Sequence, residues 1–444
     1  MEIRDFLKAA AHVKPSPRQM AWFDTEFYAF VHFTVNTYTN LEWGLGNEDE
    51  AIFNPVDLDC DEWVAAVKSA GMKGLVLTAK HHDGFCLWPS QYTEHCVKNS
   101  PWKNGKGDVV RECADACRRG GIKFGVYLSP WDRNSPYYGT DAYNDYYCNQ
   151  LTELLTNYGE LFMVWFDGAC GEGPNGKRQV YDFDRYISLI RKYQPNASIF
   201  NDHGPDVRWC GNEAGRARRE EWAVVPGELC FRSEPQTDGA PLEGELGFMY
   251  NTDESIGELA NILYSKRLVF TGAEIDMSIR PGWFYHQNEE PHSLERLFRT
   301  YVNSCGANAC FNLNVPPMPS GRFDPRDIAR LKELGDAIRE AFGEEKRIPA
   351  SVTRVDTGSD TQCKYEIRFP EKKKIRYVDL RENIAEGQRI ERFRLLANGG
   401  TIYSGFTVGH RKICPVNAEA DSLTLFVTAA RDTVDMREIT VYGE

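Results

Sequence analysis

Asp167 ends the apolar run Leu161-Phe162-Met163-Val164-Trp165-Phe166 and is followed by Gly168-Ala169, so a strand of apolar residues delivers one carboxylate to its C-terminal end. Such a carboxylate can act as a nucleophile or proton carrier, or simply cap the turn; the pattern leaves both open. His81-His82 follow a second strand, Leu75-Val76-Leu77-Thr78, and precede Asp83-Gly84-Phe85. Neighbouring side chains on extended backbone point to opposite faces, so both imidazoles reach one pocket only where the strand has ended and the chain is turning. A metal site would need companions of the His-Glu-x-x-His or Cys-x-x-Cys kind, and the chain has neither. Neutral imidazoles that grip hydroxyl groups need no such companions, although one of the two histidines could be purely structural.

Glu42-Trp43-Gly44 and Arg280-Pro281-Gly282-Trp283-Phe284-Tyr285-His286 set large aromatics beside chain breakers, which suits pocket walls better than core packing. The segment Asp202 to Gly215 reads as one long polar loop, and loops of that length in compact domains are usually functional. Within it Glu213 lies between Gly211 and Gly215, where the backbone can turn sharply. Glu220 and Glu221 compete for a carboxylate role, but their charged surroundings from Arg216 onward read as a solvated face.

These residues need a frame, and the first three quarters of the chain supply one by alternating short apolar strands with amphipathic helices. Strands are expected at Phe27 to Val35, Leu75 to Thr78, Phe124 to Leu128, Leu161 to Phe166 and Ser198 to Asn201. Helices are expected at Asp61 to Ala70, opened by a capping-box pattern from Asp59 to Glu62, and at Val109 to Arg119, Tyr146 to Tyr158, Phe183 to Tyr193 and Asp324 to Phe342. Repeated strand–helix units predict an α/β fold, either a barrel or an open doubly wound sheet. No Gly-rich phosphate fingerprint follows the first strand, and strand after strand ends in polar groups: His32, His81-His82-Asp83, Ser129 to Asp132, Asp167, Asn201-Asp202-His203. Barrel enzymes keep their sites at strand C-termini, so with the dinucleotide-binding version weakened an irregular (β/α)8-like, TIM-type barrel is expected over residues 1–345. Beyond it, short period-2 runs such as Lys364 to Phe369 and Leu423 to Val427 predict a C-terminal antiparallel β-sandwich over 346–444.

The 444-residue chain is long enough for two such domains. Its 65 acidic and 52 basic side chains leave a net charge of −13, which argues against nucleic acid or an anionic membrane as partner. No stretch approaches the roughly 18 apolar residues of a membrane span. Thirteen scattered cysteines do not read as a disulfide framework, and the N-terminus shows no basic head followed by an apolar run. Together these suggest a cytoplasmic protein with free thiols; a secreted chain with a trimmed leader is the alternative.

Phe30-Val31-His32-Phe33, Glu42-Trp43-Gly44, Ala79 to Trp88 with its Lys-His-His-Asp-Gly-Phe core, Val164-Trp165-Phe166-Asp167-Gly168 and Phe311 to Pro317 resemble, in order, the α-L-fucosidases of glycoside hydrolase family 29. The resemblance spans nearly the whole chain and implies the same barrel-plus-sandwich fold. It implies a retaining exo-glycosidase acting on a fucosylated oligosaccharide without cofactor or metal. Carried over residue by residue, it makes Asp167 the nucleophile and Glu213 the acid/base. It makes His32, Trp43, His81, His82, Tyr127 and Trp283 fucose contacts, with Glu42 a further one. The segments Asn201 to Pro205 and Gly211 to Gly215, with Phe33, resemble the branch that prefers fucose α1,3- or α1,4-linked to N-acetylglucosamine. The rival readings are another retaining exo-glycosidase or transglycosidase on this fold, and a catalytically decayed sugar-binding protein. Retention requires the two carboxyl groups about 5–5.5 Å apart, and the acid must hold its proton toward a pKa of about 6 rather than 4.3.

Overall fold

The computed structural model describes residues 2–202, 204–229, 255–263 and 265–444; His203 and the segment 230–254 lie outside them. Two helices, α1 (Ile3–Ala11) and α2 (Pro17–Phe23), lead in. The second starts on a capping box, with the Gln19 N–H donating to Ser16 Oγ and the Ser16 N–H donating to Gln19 Oε1. Strands β1 (Phe27–Val31), β2 (Gly74–Lys80), β3 (Lys123–Leu128), β4 (Met163–Trp165), β5 (Ser198–Phe200) and β6 (Val207–Trp209) follow. Then come a ribbon of β7 (Val224–Pro226) and β8 (Leu268–Phe270), and the strands β9 (Gly272–Ser278) and β10 (Ala309–Asn314). All but the ribbon close into an eight-stranded barrel in the order β1-β10-β9-β6-β5-β4-β3-β2, every pair parallel.

The helical layer comprises α3 (Asn36–Thr39), α4 (Cys60–Ser69), α5 (Val109–Gly120), α6 (Asp141–Asn157), α7 (Phe183–Tyr193), α8 (Leu259–Ile262), α9 (Leu294–Ser304) and α10 (Pro325–Phe342). Strand alternation splits the apolar residues into two cores. Phe27, Ala29, Val31, Leu75, Leu77, Val126, Phe311 and Leu313 pack outward against the helices. Tyr28, Phe30, Val76, Tyr127, Met163, Trp165, Phe200 and Cys310 fill the barrel. All twelve described cysteines are buried and unpaired.

Expectations change at several points; helix α6 begins at Asp141 rather than Tyr146, and strand β4 covers only Met163–Trp165 of the expected Leu161 to Phe166. The α4 cap is half a capping box: Asp59 accepts from the Glu62 N–H at 3.0 Å. The Glu62 carboxylate turns away to Arg322 and the Phe323 N–H, at 3.1 Å each. The first strand stops at Val31 rather than Val35, because the chain turns there into the short helix α3. The supposed single loop from Asp202 to Gly215 holds barrel strand β6, which pairs Val207 with Phe200 and with Gly272. No helix separates β5 from β6, and that makes this side of the barrel irregular.

After α10, strands β11 (Ser351–Ser359), β12 (Gln362–Glu382), β13 (Ile390–Ala397), β14 (Gly400–Gly405), β15 (Lys412–Ala430) and β16 (Met436–Gly443) are antiparallel. The long strands β12 and β15 pair with each other, and their register breaks between Arg368 and Lys373. Before that break β12 carries β11, and after it β16. The sheet therefore folds into two layers around Ile367, Val378, Leu380, Phe393, Leu425 and Val441. It is pinned to the barrel by Arg411, which reaches Asp379 at 2.7 Å and Glu26 at 3.3 Å.

Candidate active site

The C-terminal ends of β1 to β4 carry the site. At the end of β2, Lys80 is fully buried, with Nζ 2.9 Å from both Asp132 Oδ2 and Gln150 Oε1. That anchor ends the strand, and the next two residues turn into the pocket: the His81 and His82 rings lie 4.1 Å apart. Asp83 holds the turn, accepting from the Phe85 N–H at 2.7 Å and from Thr34 Oγ1 at 2.9 Å. Gly84 adopts φ +83°, and any Cβ there would meet Asp132 and Asn134. The Lys-His-His-Asp-Gly motif is thus one device for turning two imidazoles inward.

Hydrogen bonds set two of the three imidazole tautomers. Asn314 Nδ2 donates to the Trp283 carbonyl at 2.8 Å and to Ser278 Oγ at 2.9 Å, so its Oδ1 is the acceptor that faces His32 Nδ1 at 2.9 Å. His32 therefore carries its proton on Nδ1 and keeps Nε2 as an acceptor. Ser129 gives its hydroxyl proton to the Trp131 carbonyl at 2.6 Å and accepts from His82 Nδ1 at 2.7 Å. His82 Nε2, 3.8 Å from Asp167 Oδ2, is likewise an acceptor. Burial pushes the pKa of His32 down to about 3 and lowers those of His81 and His82, with the Asp167 charge opposing the shift at His82. All three rings are neutral near pH 7.

Asp167 stands just past β4 and is partly open to solvent. Its Oδ2 accepts from the Tyr127 hydroxyl at 3.0 Å and its Oδ1 from the Ala169 N–H at 2.8 Å. Tyr127 is buried between His81 and Trp165, whose rings stack on it at 5.7 and 5.2 Å. Across the mouth, Trp283 Nε1 donates to Glu213 Oε2 at 3.1 Å. The pKa of Glu213 is raised, first by surrounding protein and then by the charges of Asp167 and Glu42, against the Trp283 hydrogen bond. Trp43, 58% exposed, stands edge-on to Trp131 and His82 at 5.5 and 6.1 Å, which makes it an outer wall.

Glu42 has a task that sequence reading missed. Its Oε2 takes the Trp283 N–H at 2.8 Å, and its Oε1 takes the Phe284 N–H at 3.2 Å and His286 Nε2 at 2.6 Å. Its carboxylate holds the Trp283 loop. Glu221 is not on a solvated face: it is 1% exposed and ion-paired with Arg208, with Arg218 Nη1 at 3.9 Å. Arg208 lies on β6, the strand concealed in the presumed loop, so the sequence offered no partner that would pull Glu221 inward.

Beneath the site lie acids with no role assigned from sequence. Glu274 is fully buried and receives Tyr28 Oη, Trp165 Nε1 at 2.7 Å and Asn312 Nδ2 at 3.1 Å; burial pushes its pKa up to about 7 against those donors. Asp202 packs on Gly168 and is also pushed up to about 7, by burial and by the charges of Asp167 and Glu213. The alternation Asn312–Asn314 on β10 was the available signal for inward polar groups.

An Alpha-L-fucosidase family model matches residues 10–221 and 264–341. Alpha-L-fucosidase 1 of Arabidopsis thaliana is 38% identical over 452 residues, covering 94% of this chain and 85% of its own. A glycoside hydrolase 29 family member from an unknown rumen bacterium superposes with TM-score 0.83 at 40% identity, over 98% of this chain and 78% of that one. A Ruminococcus gnavus GH29 fucosidase solved in complex with fucose gives TM-score 0.81 at 29% identity, over 98% and 95%. With the same barrel and with its strand-end carboxylate and imidazoles gathered in one pocket, this chain belongs to the α-L-fucosidases, glycoside hydrolase family 29.

Proposed function

We propose that the enzyme releases terminal α-L-fucose with retention of configuration, using Asp167 as nucleophile and Glu213 as acid/base. The observation that carries this reading is the unequal treatment of the two carboxyl groups. Asp167 is met by two donors, Tyr127 Oη and the Ala169 N–H, which suit an anion. Glu213 has its proton affinity raised, in part by the Asp167 charge itself. In the first step Asp167 attacks the anomeric carbon, the bond to the leaving oxygen breaks, and that oxygen takes the proton of Glu213. In the second step Glu213 takes a proton from the incoming water, whose oxygen displaces Asp167. Two inversions return the α configuration.

His32 and His82 each offer Nε2 as a fixed acceptor, which suits two sugar hydroxyls as donors. Phe30, Trp283 and Phe284 pack around His32 and give the apolar surface a 6-deoxy sugar needs. A slot for a methyl group discriminates weakly, by about 1–3 kcal/mol, so slow turnover of α-L-galactosides is expected. For linkage we propose fucose α1,3- or α1,4-linked to N-acetylglucosamine, on the resemblance of Asn201 to Pro205 and Gly211 to Gly215.

Two measurements test the reading. A 2-fluorofucosyl trap followed by peptide mass spectrometry should label Asp167; a label elsewhere, or release of β-fucose by NMR, overturns the mechanism. Lewis a and Lewis x trisaccharides should be cleaved far faster than 2′-fucosyllactose. Equal kcat/KM on both kinds removes the linkage assignment and leaves the fucosidase in place.

A further inference from the structure

Immediately behind the Glu213 loop lies a second cavity of about 570 Å³, bounded by residues 214–219, by α9 and by β14 and the start of β15. Six cations line it: Arg216, Arg218, Arg219, Arg296, Arg299 and Lys412, of which Arg218 is held by Glu221 and by the Cys210 carbonyl. In a chain of net charge −13 this is an unusual concentration. Among the described residues Arg299 alone of the other five has a carboxylate partner, an exposed pair with Glu295 at 3.7 Å. Arg219 lies over the Phe406 ring at 4.2 Å, and Arg296 Nη1 sits 3.2 Å from His292 Nδ1. Lys412 is half-buried on a strand pinned to the barrel, where the Ile413 N–H donates to the Gly306 carbonyl at 3.1 Å.

Like charges gathered in a recess repel one another, and dry surroundings sharpen the cost. Burial by itself lowers the pKa of the Lys412 ammonium. An arrangement of guanidinium forks around one ammonium matches an oxyanion, which accepts several charge-assisted hydrogen bonds at once. We propose that this cavity binds an oxyanion, a sulfate, phosphate or carboxylate group, brought either free from solution or as a substituent on the leaving-group side of the glycan. The second source rests on Glu213 being the acid/base, because the cavity wall begins at Ala214, on the side from which the leaving group is protonated. In either case occupancy ties α9 and β15 to the segment that carries Glu213.

The test uses the full chain and the double variant Lys412→Met/Arg296→Gln, neither residue touching Asp167 or Glu213. Thermal melting in sodium sulfate or sodium phosphate is compared with sodium chloride at matched ionic strength. Steady-state rates are compared on a neutral Lewis trisaccharide and on its sulfated and sialylated forms. The expected result for a free anion is a saturable rise in Tm with sulfate that the double variant loses. For a glycan substituent, kcat/KM on the charged trisaccharide exceeds that on the neutral one by about tenfold, and the variant returns the ratio to about one. The wild-type melting curve reads binding without turnover, so it stands even if the fucosidase mechanism fails. Should the double variant not fold, Arg299→Gln is put through the same comparison. No specific sulfate or phosphate effect on wild-type Tm, together with a substrate ratio that the variants leave unchanged, overturns the proposal.

Discussion

The Tyr127 hydroxyl donates to Oδ2 of Asp167 across 3.0 Å, from a ring clamped between His81 and Trp165. A donor held that rigidly orients the carboxylate. Tyr127→Phe keeps the packing and loses one charge-assisted hydrogen bond, about 1.5–3 kcal/mol. We expect kcat to drop about 10- to 100-fold with KM little changed, read by steady-state kinetics on nitrophenyl fucoside. Asp167→Asn should fold with an unchanged Tm and lose at least about 10³-fold in kcat, because an amide cannot form the covalent intermediate.

Glu213→Ala should slow natural oligosaccharides by about 10²- to 10⁴-fold and affect attack on an aryl fucoside with an acidic leaving group much less. Azide, which needs no base, should restore turnover of the aryl substrate and yield α-fucosyl azide. Glu221→Ala serves as the contrast. It strands Arg208 in the interior, which should cost about 3–5 kcal/mol. Its activity should therefore fall together with its Tm and be untouched by azide; azide rescue at position 221 would move the acid/base there.

Glu42→Gln replaces an oxygen that accepts from the Trp283 loop by an amide nitrogen that cannot. The loop should loosen while the barrel stays intact. We expect kcat/KM to fall about tenfold, an altered tryptophan emission spectrum, and a Tm within about 1 °C of wild type. A Tm loss as large as the activity loss would make Glu42 a general stability residue.

His32 supplies a pH test of stability. Its folded pKa, about 3, is depressed below the ordinary 6.5. An unfolded chain at pH 5 therefore binds a proton that the native ring refuses. The resulting contribution is present above pH 6.5 and is lost as pH falls toward 3. The slope from this one group is about 1.4 kcal/mol per pH unit over that window. Denaturant titrations of His32→Gln between pH 6 and 4 should show an acid slope shallower by that amount; an unchanged slope would mean that His32 titrates normally in the fold.

Local chemistry was legible in the sequence wherever a short segment completes its own device. The apolar strand that delivers Asp167, the exact span of helix α7 and the change to period-2 patterning beyond residue 347 all depend on neighbours a few residues away. Pairings at long range were not legible. Strand β6 is three residues long and gains its identity only from Phe200 and Gly272 beside it. Glu221 is buried because that strand presents Arg208 to it. Glu42 grips backbone N–H groups about 240 positions away, and Asn314 selects the His32 tautomer from 282 positions away. A carboxylate or an amide looks the same in sequence whether it faces solvent, substrate or another loop. Only closure of the barrel, which brings its first strand against its last, decides which donors and acceptors it meets.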